Sequence, residues 1–109
     1  IGHLFETFVF SELRRRLLAT QGQWNIYFYR DRGVEVDFLV IKDNVVNLVE
    51  CKWTESPSDK DTIGMRKVHA ALPKTQFGKS LIVSRSNNRA KISDHIETVP
   101  LAELFEAIQ

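Results

Sequence analysis

The sequence predicts a single α/β domain, a mixed central sheet flanked by helices. Three observations carry this: helical apolar spacing from Ile1 to about Thr20, three successive β-prone segments between Trp24 and Trp53, and a capped helix followed by the apolar run Leu81-Ile82-Val83. A chain of 109 residues is long enough for one core and too short for two.

Composition narrows the class. A hydrophobic fraction of 43% with 27% charged residues is that of an ordinary globular domain. Fifteen Lys and Arg against 14 Asp and Glu give a net charge of +1, so any nucleic-acid surface has to be a local patch. The lone cysteine, Cys51, excludes an internal disulfide framework and suits a reducing cytosol, which points to a cytoplasmic protein. No stretch approaches the roughly 20 apolar residues of a membrane span. The chain opens at Ile1 directly in a helical pattern, as expected of a segment of a longer protein.

In the first helix Ile1, Phe5, Phe8, Val9, Leu13 and Leu17 recur at helical spacing, and Leu4, Phe10 and Leu18 widen the arc, which predicts a well-buried helix. Glu6 falls on the wheel between Leu13 and Leu17, inside that arc. Gly22 is the expected C-terminal cap. Trp24 to Tyr29 reads as a first strand, and Arg30-Asp31-Arg32-Gly33 as the turn into a second. Val34 to Ile41 and Val45 to Trp53 then form a hairpin about Asp43-Asn44, a two-residue loop of suitable composition. Ser58 with Asp61 three residues on marks the start of a second helix, running to about Leu72 before Pro73. Lys79 to Ser84 is an interior strand and Ser84 to Arg89 a polar loop; a short strand at Ile96 to Val99 and a helix from Leu101 to Ile108 behind Pro100 complete the order.

The hairpin carries the unusual residues. Glu35-Val36-Asp37 and Glu50-Cys51-Lys52 place charges inside runs that otherwise read as buried strands. An isolated buried carboxylate costs several kcal/mol or more unless a counter-charge, a hydrogen bond or a metal offsets it. With the two-residue turn, antiparallel pairing sets Asp37 opposite Glu50 and Glu35 opposite Lys52, all four on one face with Leu39, Ile41, Val46 and Leu48. The other face carries Val34, Val36, Phe38 and Val40 beside Val49, Cys51 and Trp53. Opposed Cβ atoms stand roughly 4.5–5.5 Å apart, where like charges destabilise the pair and a divalent cation reverses the sign. A cross-strand ion-pair ladder that specifies register is the alternative, although two acids against one base in the inner set favour a cation.

Asp37, a gap of twelve residues, then Glu50-Cys51-Lys52, within an α-β-β-β-α-β order, resembles the PD-(D/E)XK, or restriction-endonuclease-like, superfamily. The chain is similar, more closely still, to the uncharacterised domain at the C-terminus of many prokaryotic AAA-type ATPases. The matching blocks are Gly2 to Glu6, Ser11-Glu12-Leu13, Tyr29-Arg30-Asp31 and Glu35-Val36-Asp37-Phe38. Val36 stands where the superfamily's name places proline. The resemblance implies a single nuclease-like domain over residues 1–109, drawn from the C-terminal part of an ATPase chain, cleaving DNA, or less readily RNA, with Mg²⁺ or Mn²⁺. It implies Asp37, Glu50 and the backbone carbonyl of Cys51 as metal ligands, Glu6 as a supporting acid, and Lys52 as the group that acts on the attacking water or the phosphorane charge.

Arg30 and Arg32 could contact phosphates beside the site, and Tyr27 or Tyr29 could stack on bases, although core aromatics and solvated arginines are the plainer reading. His3, His69 and His95 lack zinc-ligand spacing, His69 is expected at the second helix's surface or edge, and no glycine-rich phosphate loop is present. Two non-enzymatic readings stand beside the nuclease: a module of the same fold that binds nucleic acid or protein, and a dimerisation domain, which leaves a homo-oligomer open.

Overall fold

The computed structural model describes all 109 residues. Helix α1 (Gly2–Ala19) leads into strands β1 (Asn25–Asp31), β2 (Val34–Lys42) and β3 (Val45–Cys51). A 3-10 turn (Asp59–Thr62) runs into α2 (Ile63–Ala71), followed by β4 (Phe77–Ser84), β5 (Ala90–Ser93), β6 (Ile96–Pro100) and α3 (Leu101–Ile108). The α-β-β-β-α-β order expected from sequence is present. The polar loop after β4 runs to Arg89 as expected, and the residues beyond it, Ala90–Ser93, form an additional edge strand antiparallel to β6 that the sequence reading did not include.

The six strands form one mixed sheet in the order β1-β2-β3-β4-β6-β5. Hairpins join β1 to β2 and β2 to β3, while β3, β4 and β6 run parallel, the first pair joined by the α2 crossover. Asp43 and Asn44 both have positive φ, 54° and 66°, the conformation that a two-residue hairpin of this hand requires.

Two apolar clusters sit on opposite sides of the sheet. Val9, Leu13 and Leu17 of α1 and Leu104, Ala107 and Ile108 of α3 pack on Phe38, Val40, Val49, Leu81, Val83 and Val99. Met65 and Val68 of α2 pack on Val36, Leu48, Ile82 and Ile96. Full burial of each such side chain contributes about 1.5–3 kcal/mol. The radius of gyration, 12.9 Å, is that of one compact domain of this length.

Several expectations are corrected. Helix α1 is not buried around a wide arc: Val9, Leu13 and Leu17 are, whereas Ile1, Leu4, Phe8 and Leu18 are exposed, because α3 and the sheet cover only one stripe. Gly22 does not cap α1. The helix ends at an extended Thr20, whose N–H and Oγ1–H both donate to the carbonyl of Leu17. Strand β3 stops at Cys51, two residues short of Trp53, because the Thr54 amide turns back onto the Lys52 carbonyl. His69 does lie at the edge of α2, as expected, half-buried with its ring edge-on to Phe77 and Nε2 3.0 Å from Ser80 Oγ; burial, with His95 nearby, holds its pKa below the usual value. No helix is long and apolar enough to cross a membrane.

Candidate functional site

The β2–β3 register is the one the two-residue turn dictates. Lys42 pairs with Val45 and the ladder runs to Phe38 opposite Val49, which makes Asp37 and Glu50 the next pair in line. There the ladder stops and the hairpin forks. Beyond Phe38, β2 continues against β1; beyond Val49, β3 continues against β4 through Glu50–Ile82 and Cys51–Val83.

Side chains replace the missing backbone bonds at the fork. The Asp37 amide donates to Glu50 Oε1 at 2.9 Å, and the Cys51 amide donates to Asp37 Oδ2 at 2.8 Å. Each carboxylate thus occupies an amide of the opposite strand, so both are set by the point where the sheet splits. An amide left bare in this half-buried cleft would cost about 1–3 kcal/mol, which the paired acids avoid.

Glu35 departs from the expected face. Tyr27 pairs with Leu39 but Tyr29 with Val36, so Phe28 alone faces Asp37 and Phe38 and β2 carries a bulge at Asp37. The bulge reverses the alternation beyond it: Phe38 and Val40 join the α1/α3 cluster, whereas Val34 and Val36 join the α2 cluster. Glu35 therefore does not share a face with Glu50 or stand against Lys52. It pairs instead with Arg30, its direct neighbour on β1, through Nε–Oε2 at 2.8 Å, with both groups largely exposed. The sequence held no plain signal for this bulge, since β2 alone alternates without a break.

Helix α1 completes the group. Glu6 of α1 and Glu50 both lie near enough to Asp37 to feel its charge. Burial, then the negative charge of Asp37, pushes Glu50 up to about 8 from an ordinary 4.5. Glu6 is raised for the same two causes, with His3 opposing. Lys52 lowers Glu50 but forms no salt bridge, so three acids meet with one nearby cation on the fork itself. Burial and the same carboxylates push the Cys51 thiol well up, leaving it a protonated packing group.

From the other layer, Gly64 of α2 brings its backbone against the fork. A Cβ there would lie 2.9 Å from the carbonyl oxygen of Glu35 and 3.7 Å from Glu50 Oε2. Sequence reasoning passed over Gly64, and a glycine near the start of an amphipathic helix was the only hint. As they stand, Asp37 and Glu50 each accept a backbone amide, and no three His, Cys, Asp or Glu residues form a group able to hold a metal ion. Arg32 stands 3.9 Å from Asp31 in an exposed pair, and Arg30 is engaged by Glu35, so neither arginine turns toward the carboxylates.

Comparison with curated proteins finds no match. Residues 1–104 match the protein family described as Domain of unknown function (DUF4143), so the chain, with the fork, the six strands and helices α1 and α2 inside the match, belongs to that family.

Proposed function

We propose that the chain is a restriction-endonuclease-like, PD-(D/E)XK domain that hydrolyses phosphodiester bonds in DNA, and RNA less readily, as the accessory domain of an AAA-type ATPase. The observation that carries this reading is the fork: Asp37 and Glu50 meet where two strands part, with Glu6 added from α1 and Lys52 two residues beyond Glu50.

The donor set suits a hard divalent cation, Mg²⁺ or Mn²⁺, because it consists of carboxylate oxygens and because burial, and then the charge of Asp37, raises Glu50 and Glu6, both of which a cation offsets. Asp37, Glu50 and the Cys51 carbonyl would hold the ion, with Glu6 in support, once Glu50 turns away from the Asp37 amide. The ion, when bound, supplies charge neutralisation for the phosphoryl oxygens and acidifies water. Lys52 orients the attacking water and offsets charge on the phosphoryl group; its freedom from ion pairs leaves the ammonium available for both tasks. Asp37, held by the Cys51 amide, keeps its carboxylate fixed at the split while the substrate changes shape.

A plasmid assay tests this. Mn²⁺-dependent nicking of supercoiled DNA should disappear in Asp37→Ala and Lys52→Ala, with losses of at least about 10²-fold. Nicking that survives both substitutions sinks the assignment. The inward-turned carboxylates favour one second reading, a non-catalytic module of the same fold that binds nucleic acid or a protein. That module predicts salt-sensitive DNA retention without cleavage and indifference to chelator.

A further inference from the structure

Just past Lys52, Trp53 leaves nearly half of its surface, 45%, open to solvent. Its position is nonetheless tightly specified. The Lys52 amide donates to the Val83 carbonyl at 2.9 Å, the Thr54 amide closes a three-residue turn onto the Lys52 carbonyl at 2.8 Å, and the Arg85 amide donates to the Thr54 carbonyl at 2.8 Å. Trp53 is the central residue of that turn, tied on both sides to the end of β4. Phe5, the neighbour of Glu6, meets the indole edge-on at a centroid distance of 5.0 Å. The Arg85 guanidinium lies over the indole ring, 4.6 Å from its centroid, and its side chain is 42% exposed, held otherwise only by a 4.0 Å exposed contact to Glu55. The core does not require this arrangement: a half-exposed indole with a cation stacked on it, one residue from Lys52 and in contact with the residue before Glu6, faces outward.

We propose that Trp53 and Arg85 form a nucleotide subsite that stacks an unpaired base beside the phosphate acted on at the fork, so that the substrate is single-stranded, frayed or flapped nucleic acid rather than intact duplex. The subsite rests on the nuclease reading for its place, since proximity to Lys52 is what puts a nucleotide there. Its chemistry is independent of that reading. An aromatic face and a guanidinium plane both bind base faces, and a cation beside the ring also meets the flanking phosphate. Inside a duplex those base faces are already stacked on their neighbours and unavailable. Only unpaired or terminal nucleotides offer one.

The test uses the whole chain carrying Trp24→Phe, so that Trp53 is the one emitter, in the presence of chelator. Titration with an oligothymidylate should quench Trp53 fluorescence and give affinity about 10-fold tighter than for a blunt duplex, or for an abasic oligonucleotide of equal length. Trp53→Ala, followed by the change in retention on the oligonucleotide, should weaken binding about 10-fold, with Trp53→Phe restoring most of it. Equal affinity for abasic and thymidine strands, or Trp53→Phe as weak as Trp53→Ala, overturns the subsite. Mn²⁺-dependent cleavage of a single-stranded or flapped oligonucleotide without base-dependent quenching sinks the subsite and leaves the nuclease; quenching with neither that cleavage nor plasmid nicking in Mn²⁺ does the reverse.

Discussion

The two ends of the β2–β3 hairpin are built from the same alternating pattern and reach opposite solutions. At the turn end, buried polarity is satisfied and neutral: Asn47 donates from Nδ2 to the Val40 carbonyl and accepts the Lys79 amide at 2.7 Å, with Gly78 packed so closely that a Cβ would collide with the Asn47 side-chain oxygen. At the fork end the side chains that replace the backbone bonds are carboxyl groups, and they crowd one another. An amide side chain carries both a donor and acceptor and can close the accounting by itself. Carboxylates only accept when ionised, so two or three of them together either leave charge over or hold a proton, as Glu50 does until its pKa of about 8. The turn end is arranged for stability, whereas the fork holds a surplus that a ligand can relieve.

Substitutions at the two ends should separate these roles, and the largest effect concerns activity. Asp37→Ala should abolish nicking while lowering Tm little, because the loss of the Cys51 amide's acceptor is offset by relief of repulsion on Glu50. A collapse of Tm in that variant would mean that the fork is structural, as an ion-pair ladder would be. Next comes Asn47→Ala at the turn end, which strands a buried carbonyl and a half-buried amide and should cost about 2–3 kcal/mol in urea unfolding without altering any metal-dependent nicking. If activity fell instead of stability, the division between the two ends would fail.

Glu50 gives the third test. Its folded pKa is raised to about 8 from 4.5, so its favourable contribution is complete below pH about 4.5 and is lost as pH rises through about 8. Without divalent cation, Tm should therefore fall between those values. Glu50→Gln should flatten the fall, a difference of a few kcal/mol at the alkaline end. Mn²⁺ should restore Tm in the parent and not in Glu50→Gln; a parent profile as flat as the variant's would remove the charge surplus from the account. The smallest effect belongs to the pair that the bulge set aside: Arg30→Ala or Glu35→Ala should change stability by less than about 1 kcal/mol, since both groups are exposed. A larger loss would show that the bulge itself depends on that pair.

Much of this was legible beforehand because it depends on local rules. The Asp43-Asn44 turn set the register, the register set Asp37 against Glu50, and Ser58 with Asp61 marked the start of the second helix through the Ser58 amide, which donates to Asp61 Oδ2 at 2.9 Å. Helix α3 spans the residues expected, Leu101–Ile108, behind Pro100. What escaped prediction depends on partners distant in sequence. Strand β5 lies within a polar stretch and exists only because β6 offers an edge. The stripe that α1 buries is chosen by α3 and the sheet, not by the width of its own apolar arc.

The sequence by itself determined that Asp37 and Glu50 would face each other across a hairpin, because side-chain period and turn length are properties of neighbouring residues. It also placed Lys52 one alternation beyond Glu50. Tertiary structure alone decided that the ladder would end there, since that requires β1 and β4 to pull the two strands toward different partners. The same competition produced the bulge at Asp37, sent Glu35 to Arg30, and left an opening that Glu6 and Gly64 approach from opposite layers. A strand's pattern states which residues alternate; which neighbour wins its hydrogen bonds is settled only when all of the strands compete.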